Sequence, residues 1–156
     1  MKRLLYLSVF IPVVFLYPGS VAVSDEKGPV ELITVAEAAA RDIDPSSLYI
    51  DVGREEDGGP VIEVISPQRG TPLKPPVPIT VKFIKREGKE IDLSTFKVEY
   101  LKFITLDITP RVRDYVTKEG IKVPEAKLPS GIHTIRLSIG DVTGIVTKQM
   151  LTFEVL

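Results

Sequence analysis

The sequence predicts an all-β fold: an antiparallel β-sandwich of about seven short strands, with a short N-terminal helix and one short helical insertion. Two observations carry that prediction. Residues 60–156 hold six or seven short runs rich in β-branched and aromatic residues, several of which alternate apolar with polar side chains at the two-residue period of a half-buried strand. Turn residues separate these runs at short intervals, and no long helical pattern lies between them. A small barrel satisfies the same pattern.

The chain opens with a segment that stands apart from this fold. Lys2 and Arg3 precede an uncharged apolar run over residues 4–17, and small residues follow at Ala22-Val23-Ser24 and at Ser20-Val21-Ala22. This order reads as a signal peptide over residues 1–24, cleaved before Asp25 or before Val23, and predicts a periplasmic or secreted protein. A retained anchor is the competing reading, because residues 4–23 are just long enough for the ~20 that a membrane span needs. Pro12, Pro18 and Gly19 interrupt the helix such a span would require. The absence of cysteine excludes a lipid-anchored lipoprotein and any disulfide.

Residues 25–59 read as an acidic arm. They and Pro60 carry ten acidic and three basic residues, whereas residues 61–156 carry eleven acidic and fifteen basic ones. An arm charged −7 beside a domain charged +4 either folds over a basic face or is a solvated linker. Thr34 and Glu37 have capping-box spacing, which predicts a helix over about 35–41 that is marginal unless it docks. Pro45, Gly53, Gly58, Gly59 and Pro60 mark linker, with one short strand over residues 48–52.

The sandwich is expected over residues 60–156. A first strand over 61–66 stops at Pro67, and Pro72, Pro75, Pro76 and Pro78 precede the next, where proline protects a sheet edge. Residues 79–83 alternate cleanly. Residues 95–104 present Phe96, Val98 and Tyr100 on one face, then change phase at Leu101 and Phe103, which predicts a bulge or a strand covered on both faces. Thr109-Pro110 predicts an N-cap with proline at the first helical position, hence a short helix over 109–115. A strand over 120–128 follows. Ile135, Leu137 and Ile139, and then Leu151, Phe153 and Val155, alternate about a turn at residues 140–144 and predict a closing hairpin.

The stretch Leu128-Pro129-Ser130-Gly131-Ile132-His133-Thr134-Ile135 resembles the turn that enters the sixth strand of immunoglobulin-like and fibronectin-type-III-like domains. The Asp141-Val142-Thr143-Gly144 turn and the terminal Phe153-Glu154-Val155 are similar to the closing hairpin of bacterial immunoglobulin-like modules, and residues 60–67 to their opening strand. His133 stands where those domains carry a corner tyrosine, and the 109–115 insertion departs from their pattern. The resemblance covers about residues 60–156 and implies an immunoglobulin-like sandwich that adheres, scaffolds or binds in an exported protein.

In that frame His133 and Gly131 form a structural corner. His133 is the only histidine and is in phase with the core, where it can donate to a backbone carbonyl. Asp141 and Gly144 read as turn chemistry, the one capping through its side chain and the other taking a positive φ. Asp42, Asp44 and Asp51 are candidate calcium ligands, because oxygen side chains alternate from Asp42, although Ser47 and Gly53 occupy the positions where a calcium loop needs Gly and Glu. No nucleophile, base and orienter stand in a recognisable arrangement, so neither an enzyme nor a cofactor is expected. Nucleic acid is not an expected partner, since no basic run is present. The expected partner is another periplasmic or cell-surface protein, met through the arm, the 70–78 loop or the 109–115 turn; contact with the membrane is expected only through an uncleaved signal segment.

Overall fold

A computed structural model describes residues 28–43, 58–68 and 70–156. Two sheets pack face to face. One runs β1-β7-β3-β2 with β6 also on β7, and contains β1 (Val30–Glu31), β2 (Val61–Ser66), β3 (Val77–Ile84), β6 (Val116–Thr117) and β7 (Gly120–Lys127). The other runs β5-β4-β8-β9 and contains β4 (Ile91–Tyr100), β5 (Leu106–Asp107), β8 (Gly131–Asp141) and β9 (Val146–Val155). Helix α1 spans Val35–Ala38, and α2 spans Thr109–Val112 before a 3-10 turn at Arg113–Tyr115. The protein is therefore an all-β sandwich, its two sheets separate and not closed into a barrel.

Alternation places the core. In β3 the side chains of Val77, Ile79, Val81 and Phe83 point inward and are buried. They face Ile135, Leu137 and Ile139 of β8 and Leu151, Phe153 and Val155 of β9 in one apolar cluster. Each such side chain contributes about 1.5–3 kcal/mol on burial. The closing hairpin pairs continuously from Gly131 opposite Val155 to Gly140 opposite Val146. A void of about 20 Å³ lies among wholly apolar neighbours, which give a water no partner.

Five expectations are corrected. The arm does not stay outside the fold: Val30 and Glu31 pair with Ala126 and Lys127, and Leu32 and Ile33 are buried in the core. The pairing of β1 with β7 is parallel, unlike the antiparallel pairing between the sheets' other strands. Helix α1 ends at Ala38 and buries no residue, so nothing extends it toward Arg41. Thr109 is not an N-cap: Ile108 holds that position, while the Thr109 hydroxyl accepts from Val98 N at 2.9 Å and its own amide donates to Asp107 Oδ1. The irregularity in β4 falls between Asp92 and Lys97, and the strand stops at Tyr100, before the phase change at Leu101. The 70–78 segment covers an edge, as Leu73 bridges Val155 in parallel and accepts from Leu156 N.

Candidate functional site

The N-terminal segment is clamped to the sandwich by two ion pairs. Thr34 and Glu37 form the capping box, with Glu37 N donating to Thr34 Oγ1 and Thr34 N to Glu37 Oε2. The same carboxylate receives both terminal nitrogens of Arg111, at 2.8 and 2.6 Å, and Arg111 also donates to the Leu32 carbonyl. The Arg111 hydrogen bonds, against an opposing burial penalty, hold the Glu37 carboxyl at about 2, well below its ordinary 4.5. Further on, Asp42 pairs with the buried ammonium of Lys102, and the Arg41 guanidinium lies over the Phe103 ring. The described part of the acidic arm thus meets cations of the domain.

The predicted corner is built around a buried ring. His133 is 1% exposed; its Nε2 lies 2.8 Å from Pro129 O and its Nδ1 lies 3.1 Å from the Tyr100 hydroxyl. Burial pushes the imidazole below its ordinary range, while the Pro129 carbonyl works the other way. Gly131 precedes it with a φ of 130°. At the opposite end Asp141 Oδ1 accepts from Thr143 N, Thr143 Oγ1 and Ile145 N, and Gly144 has a φ of 87°. Hydrogen bonding from the Thr143 hydroxyl depresses the Asp141 carboxyl, whose second oxygen is buried without a hydrogen-bond partner. Of the three candidate calcium ligands, Asp42 is engaged by Lys102, whereas Asp44 and Asp51 lie outside the described residues, as do the signal segment and residues 48–52. No group of three or more metal-binding side chains occurs among the described residues.

Two further surfaces stand beside these contacts. The first is a groove of about 500 Å³ where the chain crosses between sheets, lined by Leu93, Ser94 and Phe96 of β4, Thr109, Arg113 and Val116. Strand β5 covers β4 only at Glu99 and Tyr100, and Ile108 and Thr109 satisfy the backbone of Val98. Upstream of Val98, no described strand pairs with that edge of β4. The second surface is one end of the sandwich. Six large apolar side chains among the described residues are more than half exposed, and five of them, Val35, Phe103, Ile104, Ile132 and Leu156, gather there; Val142 is at the other end.

The class that the described residues define is an all-β, two-sheet sandwich. No family model, curated protein or solved structure matches the chain, so what it does must be read from these surfaces. The groove contains Thr109 and Arg113 of the turn that the sequence singled out as a contact element. Its β4 wall had no sequence signal, because Leu93 and Phe96 share the groove only through the irregular register between Asp92 and Lys97.

Proposed function

We propose that this chain is an exported, non-enzymatic, immunoglobulin-like module that binds or supports another protein of the cell envelope. An extended segment of that partner adds to the free edge of β4. The observation that carries this reading is the unpaired β4 edge beside a groove walled by Leu93, Phe96 and Val116 and bearing the exposed Arg113. Backbone groups along such an edge bind an extended peptide, apolar side chains on the groove wall select every second residue, and a cation favours an acidic one. A non-enzymatic role is supported by the use of the chain's only histidine, whose two ring nitrogens are both engaged in structural contacts.

The test is in-cell crosslinking from a photoreactive residue placed at Ser94, in the wild-type chain and in a Leu93→Asp/Arg113→Glu variant. Both substituted side chains are exposed, so the unfolding free energy from urea denaturation is expected to stay within about 0.5 kcal/mol of wild type per substitution. Loss of the crosslinked species in the variant is the expected result. Undiminished capture by a folded variant removes the groove from the interface.

A further inference from the structure

We propose that His133, Tyr100, Lys102 and Asp42 form an acid-released catch: protonation of the buried imidazole drives the Lys102 ammonium out to water and frees the stretch of the N-terminal segment around Arg41 and Asp42. The four side chains make one line from the core to the surface. His133, 1% exposed, holds Pro129 O at Nε2 and the Tyr100 hydroxyl at Nδ1. The Lys102 ammonium lies 5.5 Å from the centre of the Tyr100 ring, attracts its hydroxyl, and ends on the Asp42 carboxylate. Lys102 is 4% exposed, whereas the Asp42 side chain is 83% exposed. The buried part of the line therefore already carries one cation, and its counter-ion stands in solvent.

Acid acts on this line at His133. In the neutral ring Nδ1 accepts the Tyr100 proton; in the imidazolium Nδ1 becomes a donor, and the hydroxyl must turn to accept from it. Two positive charges then share one buried hydroxyl. The charged groups that act on the ring are Lys102, beyond the end of β4, and Asp42, in the N-terminal segment, while Glu37 acts on Tyr100. Phe153 of β9 and Pro129, before β8, bring no charge. Like-charge repulsion in this poorly solvated place is relieved most cheaply by moving Lys102 outward, because the tip of its side chain already meets the exposed Asp42.

The other contacts of the segment set what that movement releases. Beyond α1 it is held by the Asp42 pair, by Phe103 N donating to Arg41 O, and by the Arg41 guanidinium over the Phe103 ring. All three rest on Lys102 or its neighbour Phe103, so they fail together. Upstream, β1 pairs with β7 and Glu37 is held by Arg111, and the Glu37 carboxyl stays ionised until the pH falls toward about 2. Near pH 5 the catch opens while the rest of the segment stays docked. Burial depresses the imidazole in the closed form, and Lys102 adds to it against the Pro129 carbonyl. The open form therefore binds the proton first, and opening grows as the pH falls below about 6.5. The β4 groove takes no part in it.

The Phe103 amide reports the catch directly, since it donates across it to Arg41 O. Its exchange protection is measured by NMR on the chain recovered after export, corrected for the intrinsic rate at each pH, beside the unfolding equilibrium from urea. Phe103 is expected to open at least ~10-fold more often than the whole molecule unfolds. Its protection should fall at least ~5-fold from pH 7.5 to pH 5.0, and at most ~30-fold, the limit for an open-state value of about 6.5. Lys102→Met should abolish that fall at Phe103 while the acid decline of global stability persists. His133→Phe, which should abolish both, keeps the test decisive if the Met variant does not fold. Exchange of Phe103 only through global unfolding, protection that is unchanged as His133 titrates, or a fall that survives in either variant overturns the proposal.

Discussion

His133 makes two contacts that a single neutral tautomer satisfies. With the proton on Nε2 the ring donates to Pro129 O, and the bare Nδ1 accepts from the Tyr100 hydroxyl. Tyr100 and Phe153 pack against the ring at centroid distances of 5.8 and 5.7 Å, and burial holds the imidazole below its ordinary range. Because the folded-state value is depressed, the unfolded chain binds the proton first. The neutral ring therefore stabilises the fold fully above about pH 6.5. That contribution shrinks as the pH falls below this value toward the folded-state value. Urea denaturation of the wild type from pH 8 to pH 5 is expected to show this decline, and His133→Phe should lack it. Loss of the imidazole in His133→Ala should cost about 2–4 kcal/mol, from the cavity and the unpaired Pro129 carbonyl. Parallel pH profiles for wild type and the Phe variant would refute the assignment. The inward phase of His133 was legible from Ile135, Leu137 and Ile139; its partner Tyr100 was not, because 33 residues separate them and only the β4–β8 pairing brings them together.

At the scale of elements, α1 shows how a short helix is held. Four residues that bury nothing would not persist alone. The capping box satisfies its first amides, and Arg111 then anchors Glu37 to the crossing segment that also carries Arg113. Since the Glu37 carboxyl is depressed from 4.5 to about 2, its ion pair stabilises the fold fully above about pH 5 and is lost as the pH falls through that interval to about 2. Glu37→Gln is expected to cost about 1–2 kcal/mol at pH 7, after allowance for the partial exposure of both side chains. It should also flatten the acid limb of the stability profile, measured by chemical denaturation between pH 7 and pH 2. An unchanged acid limb would show that the clamp carries no stability. The Thr34-x-x-Glu37 spacing announced the cap; Arg111, 74 residues away, gave no signal.

The whole molecule begins earlier than its sequence texture suggests. A chain starting at Pro60 would lack Leu32 and Ile33, which are 3% and 2% exposed, and would uncover the part of β7 that pairs with β1. Such a chain is expected to lose at least about 4 kcal/mol relative to one starting at Asp25, read from thermal or urea unfolding of both. Matching midpoints would mean that the N-terminal segment only decorates the core. By itself the sequence determined the all-β class, the hairpin that closes the second sheet, the capping box and the inward phase of His133. Each of these is written in neighbouring residues, through two-residue alternation or a three-residue cap spacing, so local physics suffices to read it. Tertiary structure alone decided that the acidic segment enters the core, that β4 keeps a free edge beside a groove, and that the exposed apolar residues gather at one end. Those features depend on which strands become neighbours, and β1 reaches β7, or β4 reaches β8, only after the chain has folded.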